Sequence, residues 1–97
     1  MRHRLQIEGW DLDDRNLKKM GERGLTLRIF LQVTKEAPRF RQNRKGHPAS
    51  HQMVGPDRGG AIWVIPIMER DDDPGIWRPI TGWHAEPEDI EWYGRSR

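Results

Sequence analysis

Apolar and polar positions divide the first third of the chain into helical segments. Leu17 and Met20 lie three residues apart, as they would on one face of a helix. Asp13 precedes them and suits a helix N-terminus, where its carboxylate can cap the first turn. Gly24 suits the position just after a helix, because it adopts a left-handed backbone at little cost. We therefore predict a first helix over residues 13 to 23.

The next segment is ambiguous, because two periodicities overlap in it. Alternate positions from residue 25 to residue 33 are apolar, as in a strand, whereas a helical stripe runs from Ile29 to Ala37. Thr26 follows Gly24 closely and can cap a helix. A helix stop followed at once by a helix start is typical of a helical hairpin, so we predict a second helix here.

The rest of the chain is typical of an antiparallel sheet with sharp turns. Strand-like segments lie at residues 5 to 9, 39 to 43, 52 to 54, 61 to 68 and 76 to 84. Pro66 predicts an edge position or a bulge, because proline cannot donate to the ladder. Pro87 suits the start of a short final helix. We predict an α+β fold with a twisted antiparallel sheet of about four strands, two N-terminal helices on one face and a short C-terminal helix.

Composition limits the class of protein. A length of 97 residues predicts a single domain over residues 1 to 97. The absence of cysteine excludes disulfides and thiolate metal sites. Residues 1 to 4 lead into no apolar run, and no stretch is long enough to span a bilayer. These features predict a cytoplasmic protein that does not contact a membrane.

The distribution of charge suggests a partner, although the net charge is only +2. Arg39 and Arg41 alternate along a predicted strand and should leave the same face, and Arg44 and Lys45 extend the charge into the next loop. Such a patch is typical of binding to an RNA backbone. A charged strand edge that resists aggregation is the alternative. His51 begins the next strand, and we expect it to face this patch.

Three parts of the chain, in order, resemble BrnT-type toxins of the RelE-like superfamily. They are Asp13-Asp14-Arg15-Asn16-Leu17 continued by Arg23-Gly24-Leu25-Thr26, then Met53-Val54-Gly55-Pro56, then Trp77-Arg78-Pro79-Ile80-Thr81-Gly82-Trp83-His84-Ala85 leading to a helix with Tyr93. The resemblance implies a RelE-like fold. It also implies the toxin of a type II toxin–antitoxin system, a ribonuclease that inhibits translation without a metal or other cofactor. Its expected partners are RNA and a cognate antitoxin that masks the toxin in a complex.

Metal-free RNA cleavage needs a base for the 2′-hydroxyl, cations for the charged phosphorane and an acid for the leaving oxygen. Arg78 is the first candidate to bind phosphate, because a guanidinium pairs with phosphate oxygens. An ion pair with an acidic neighbour is the alternative. His51 and His84 are candidate acids or bases, and Tyr93 is a candidate to assist them. Even spacing places Arg78 and His84 on one face of the last strand, about 20 Å apart.

The tryptophans near the C-terminus favour a second interpretation. Trp83 stands where many BrnT proteins have an arginine. This departure favours a catalytically silent RelE-fold protein that binds nucleic acid or a partner. By alternation along the predicted last strand, Trp77 and Trp83 should share the face opposite Arg78 and pack beneath the helices.

Overall fold

A computed structural model describes residues 5 to 96 and confirms the predicted α+β fold. The strands are β1 (Gly9–Trp10), β2 (Arg39–Gln42), β3 (His51–Pro56), β4 (Ile62–Arg70), β5 (Asp73–Pro79) and β6 (Trp83–His84). The helices are α1 (Asp14–Glu22), α2 (Leu27–Lys35) and α3 (Pro87–Ser96). The prediction that residues 1 to 4 begin no signal sequence lies outside the described residues. Within them, no helix combines the length and apolarity needed to cross a membrane.

Both N-terminal helices begin at the side chains that predict them. Asp13 Oδ1 accepts a hydrogen bond of 2.8 Å from the backbone N–H of Asn16, at the start of α1. Thr26 Oγ1 accepts one of 3.2 Å from the backbone N–H of Ile29, at the start of α2. Gly24 lies between the helices with a φ of 86°, where a side chain would be strained. The helical prediction for the ambiguous segment is therefore confirmed.

The sheet contains more strands than the sequence predicts. Its order is β1-β5-β4-β3-β2, and β6 pairs with β4 beyond the end of β5. Among the described residues every pairing is antiparallel, except that β1 runs parallel to β5. The sheet has six strands and not about four, because β1 and β6, with two residues each, are too short to stand out in the sequence. The first strand is Gly9–Trp10 and not residues 5 to 9, because the ladder with β5 forms only where Gly9 lies opposite Ile76.

Pro66 lies in a central strand, so the prediction of an edge position or a bulge for it is wrong. On one side of β4, Gln52 of β3 is opposite Pro66. On the other side, β5 pairs from Ile67 onward and β6 pairs only up to Val64. Pro66 faces the gap between these two strands, where its carbonyl accepts a hydrogen bond of 2.9 Å from Ile80. The missing N–H therefore costs the sheet no ladder bond.

The helices lie on both faces of the sheet. On the first, which we call the α1/α2 face, the two N-terminal helices cover the larger core. Its buried members are Met20, Leu25, Phe30, Val33, Met53, Trp63, Ile65, Ile67 and Trp77. The second, which we call the α3 face, carries a smaller cluster of Val54, Val64 and Tyr93. The α3 face is therefore only partly covered, and it leaves room for a surface site.

The last predicted strand, over residues 76 to 84, is interrupted at residues 80 to 82. Arg78 is opposite Met68, and Trp83 is opposite Val64 on the same strand, β4. Residues four apart on a strand point to one face. Arg78 and Trp83 therefore share the α3 face, whereas Trp77 is buried on the α1/α2 face. The prediction that the two tryptophans share a face is wrong, because the interruption changes the alternation.

A glycine makes this interruption feasible. A Cβ built on Gly82 would overlap the side chain of Leu25 and lie 3.3 Å from Cγ1 of Ile65. Only a residue without a side chain fits so close to the core. The chain can therefore leave β5, pass over the core at this point and rejoin the sheet as β6.

Candidate functional site

Arg78 lies near β1 and is paired with acidic side chains. Its Nη2 is 3.0 Å from Oδ2 of Asp13, and its Nε is 3.6 Å from Oδ2 of Asp11. Hydrogen bonds from the backbone of Asn16 and from Arg78 hold the pKa of Asp13 below its ordinary value. The structure thus places Arg78 in the ion pair that the sequence left as the alternative to phosphate binding.

His51 does not face the basic patch, so that expectation is wrong. Gln42 is opposite His51, which places the histidine on the same face as Phe40 and away from Arg41. Its ring packs against that of Trp77 in a T-shaped arrangement, with the ring centroids 5.6 Å apart, on the α1/α2 face. Burial lowers the pKa of His51, and the charge of Glu69 opposes this only in part. Burial therefore favours the neutral imidazole, which packs beside the core.

The other two catalytic candidates also lie apart. His84 stacks on Trp63 with ring centroids 3.9 Å apart, on the α1/α2 face. It therefore lies on the face of the sheet opposite to that of Arg78, and the prediction that the two share a face is wrong. Tyr93 is buried on the α3 face, where its hydroxyl donates a hydrogen bond of 2.8 Å to the carbonyl of Ala37. The structure does not bring the four candidates together around one phosphate.

The basic patch contains one arginine that is fixed in place. Arg41 Nη2 is 2.6 Å from Oδ1 of Asp89, and Arg41 Nε donates a hydrogen bond of 2.7 Å to Gln52. Its guanidinium carbon lies 4.7 Å from the ring centroid of Trp92. These contacts join β2, β3 and α3. Arg41 is therefore mainly a structural link, although part of it reaches the surface.

Asp89 carries the negative end of this link. Burial by itself would raise the pKa of Asp89. The hydrogen bonds from Arg41 and from the backbone N–H of Glu86, together with the positive charges of Arg41 and Arg44, outweigh burial. The pKa of Asp89 consequently lies below its ordinary value, and the ion pair is formed at neutral pH.

The same network fixes the loop after β2. Gln52 Nε2 donates to Oδ1 of Asn43 at 2.9 Å, and Asn43 Nδ2 donates to the carbonyl of Ala49 at 3.0 Å. Asn43 Oδ1 also accepts a hydrogen bond of 2.9 Å from the backbone N–H of Arg44. The backbone that carries the exposed cations is thus held by β3 before any ligand arrives.

Two cations of this loop are available for a ligand. Arg44 and Lys45 are exposed, and no carboxylate of residues 5 to 96 lies within ion-pair distance of either. Arg39 differs from them. It is half-buried on the α3 face, as the alternation predicts, and its Nε is buried without a hydrogen-bond partner in the described part of the chain.

A cleft of about 650 Å³ opens on the α3 face beside this loop. Its walls and floor come from the loop after β2, the central strands, the segment from β5 to β6 and the first turn of α3. The lining includes Arg44, His47, Pro66, Thr81, Trp83 and Glu88. Trp83 is half-buried, packs against the smaller core cluster, and contributes the aromatic surface of the cleft. Arg44 and an aromatic ring therefore line one concave surface, with Glu88 and the paired Arg41 and Asp89 at its border.

The sequence predicts part of this cleft. The basic patch includes Arg44, with His47 beside it among the clustered bases, whereas no pattern indicates a site role for Thr81. The position of His47, three residues after Arg44 in one loop, was the signal that pointed to it. Alternation along the predicted last strand places Trp83 beneath the helices instead. No local pattern marked the interruption that turns Trp83 and Thr81 toward the cleft.

Comparison of the chain with protein-family models finds no match, and comparison with curated proteins finds none either. The resemblance to BrnT-type toxins therefore stays a prediction from the residues quoted above. Within residues 5 to 96, no three histidine, aspartate or glutamate side chains are grouped as metal ligands would be.

Proposed function

We propose that this protein binds single-stranded RNA in the cleft on the α3 face. The observation that carries the proposal is that Arg44, His47 and Trp83 line the same cavity. Proteins that hold single strands combine cations along the phosphate backbone with aromatic rings on which bases stack. Unpaired bases can enter such a cleft, whereas a duplex keeps its bases stacked inside.

In this proposal the domain is a catalytically silent relative of the RelE-like toxins and acts in the cytoplasm. The positions of the catalytic candidates support this choice. Arg78 is held by two aspartates, His51 and His84 lie on the other face of the sheet, and the hydroxyl of Tyr93 is already bonded. RNA binding needs none of these four groups.

The ribonuclease toxin, with its cognate antitoxin, is the second candidate function, and His47 is the observation that favours it. His47 is exposed, and it lines the cleft together with Arg44. An imidazole can accept the proton of a 2′-hydroxyl, and a guanidinium can stabilise the phosphorane that results. On this hypothesis His47, and not His51 or His84, is the acid or base.

The binding proposal is tested by fluorescence anisotropy with a labelled single-stranded RNA of about ten nucleotides. The double variant Arg44→Gln/Lys45→Gln should weaken binding and reduce the slope of log Kd against log salt by about 1.4, since each phosphate contact contributes about 0.7. The matched control is Lys18→Gln/Lys19→Gln on the exposed side of α1, which removes the same charge. Equal effects of both variants, or no saturable binding by the wild type, would contradict the proposal.

The two candidates are separated by incubating unlabelled RNA with the protein in excess EDTA. The silent domain leaves the RNA intact, whereas the ribonuclease produces fragments that end in a 2′,3′-cyclic phosphate. Loss of these fragments in His47→Gln, with RNA affinity retained, would establish the second candidate. Induced expression of the wild type and of His47→Gln at equal protein levels then shows whether growth arrest accompanies cleavage.

A further inference from the structure

Two leucines on α2 are exposed although the opposite side of the helix is buried. Leu27 is 42% exposed and Leu31 is 39% exposed, whereas Phe30 and Val33 are fully buried. Leu27 and Leu31 are one helical turn apart, so they form a short apolar stripe along the outer surface of α2. This stripe contributes nothing to the core that α2 covers.

The stripe lies in a groove between α2 and the turn that joins β3 to β4. The groove has a volume of about 560 Å³ and is lined by Leu27, Arg28, Leu31, Gln32, Lys35 and Arg58. Oε1 of Gln32 accepts a hydrogen bond of 3.0 Å from the backbone N–H of Arg58. This bond ties the turn to the helix, so both walls of the groove are in place before any partner binds.

Every charged residue that lines this groove is a cation. Arg28, Lys35 and Arg58 surround the leucines, and no carboxylate in the described part of the chain lies within ion-pair distance of them. An apolar stripe flanked by one sign of charge matches a ligand with an apolar stripe flanked by the opposite sign. A helix with leucines on one face and glutamates beside them has that chemistry.

We propose that this groove docks an acidic amphipathic helix of a partner protein. Its apolar residues, spaced three and four apart, cover Leu27 and Leu31, and its carboxylates meet the three cations. A second copy of this chain fits poorly, because a symmetric contact would place the same three cations against each other. RNA also fits poorly, because phosphates gain nothing from the leucines. The groove and the RNA cleft lie on opposite sides of the sheet, so neither proposal depends on the other.

The proposal is tested by calorimetry and by NMR titration of the full chain with a synthetic 18-residue helical peptide. The peptide carries leucines at helical spacing and glutamates beside them. A second peptide, with lysines in place of the glutamates, is the matched control for charge. We expect saturable 1:1 binding of the glutamate peptide, with shifts confined to α2 and residues 56 to 61. Leu27→Gln/Leu31→Gln should weaken binding at least about tenfold, since buried anchors at the centre of an interface carry most of its energy. Ile90→Gln, on exposed α3, is the control and should leave binding unchanged.

Charge reversal supplies the second arm. The triple variant Arg28→Glu/Lys35→Glu/Arg58→Glu should lose the glutamate peptide and gain the lysine peptide. Absence of saturable binding up to about 1 mM, the weakest range of specific affinity, overturns the proposal. Equal binding of both peptides by the wild type also overturns it. Self-association that Leu27→Gln/Leu31→Gln abolishes would assign the groove to a second copy, and RNA-induced shifts confined to the groove would assign it to nucleic acid.

Discussion

The side chain of Arg41 contacts that of Asp89 at 2.6 Å and so ties β2 to the first turn of α3. Both side chains are mostly shielded from solvent, with 24% and 15% of their surfaces exposed. Because the same arginine also bonds to Gln52, one group positions the helix and the loop that border the cleft. The basic patch seen in the sequence therefore performs two tasks, and Arg41 serves mainly the structural one.

Removing the charge of Asp89 should expose how much this link contributes. Asp89→Asn leaves Arg41 without its counter-ion, and we expect the free energy of unfolding to fall by about 1 to 2 kcal/mol, as for a partly buried charged hydrogen bond. Urea denaturation measures the change. Glu91→Gln, at an exposed pair in the same helix, is the control and should change stability by less than about 0.5 kcal/mol.

The effect of Asp89→Asn should also depend on pH. The pKa of Asp89 is lowered in the folded protein, so its contribution is fully present above the unfolded value, about 3.9. The contribution is lost as pH falls through the folded pKa. The difference in stability between wild type and variant should therefore shrink as pH falls from about 4 through the folded pKa, below which the carboxyl is neutral in both states. A difference that stays constant down to acidic pH would show that Arg41 and Asp89 do not interact through charge.

Ala37→Gly should stabilise the protein, although most substitutions destabilise. Ala37 has a φ of 50°, in the region that disfavours a side chain, and it is the acceptor for Tyr93. Relief of this strain should outweigh the added chain entropy by about 0.5 to 1 kcal/mol. Thermal unfolding should shift upward by a few degrees, roughly 2 to 6 °C for a domain of this size. Ala61→Gly, at an exposed residue without positive φ, should lower the melting temperature instead.

Gly82→Ala should destabilise the fold and distort the cleft. The added methyl group would overlap the fully buried side chain of Leu25, so that side chain or residues 80 to 82 must shift. We expect a loss of about 1 to 3 kcal/mol, as for overpacking elsewhere. Gly94→Ala provides the contrast, because a Cβ there meets nothing within 4 Å and lies in helix α3. That control should gain up to about 1 kcal/mol from helix propensity.

Arg78→Ala should leave RNA affinity unchanged. Its guanidinium is paired with Asp13 and Asp11, near the β1 edge of the sheet, whereas the loop that carries Arg44 follows β2 at the other edge. Because the side chain is 39% exposed, loss of the pairs should cost less than about 1 kcal/mol of stability. Anisotropy with the same RNA measures the affinity. An affinity loss equal to that of Arg44→Gln/Lys45→Gln would show that Arg78 contacts the RNA.

The sequence predicts the helical hairpin well, because its signals are local. Asp13, Thr26 and Gly24 each act within one turn, so neighbouring residues suffice to place the helix ends. The alternation of Arg39 and Arg41 is local too, and both lie on one face as predicted. The α+β fold follows from this order of elements.

The site could not be predicted to the same extent, because it depends on long-range pairing. Alternation from residue 76 to residue 84 assumes a continuous strand, whereas β4 pairs first with β5 and then with β6. The gap between them accommodates Pro66 and turns Trp83 toward α3. His51 is expected to face the basic patch because it begins the next strand, but its register with Gln42 sets its face. Each error concerns which strand residue lies opposite which.

The most direct test of the RNA site on the α3 face is an NMR titration of the isotopically labelled full chain with a single-stranded RNA of about ten nucleotides. We expect shifts to concentrate at residues 43 to 48, at residues 80 to 83 including the indole N–H of Trp83, and at the first turn of α3. The chemical shifts of the amides in α1 and α2 should remain unchanged. Shifts centred on Arg78, or on the α1/α2 face around His51, would contradict the proposed RNA site, as would an unchanged spectrum.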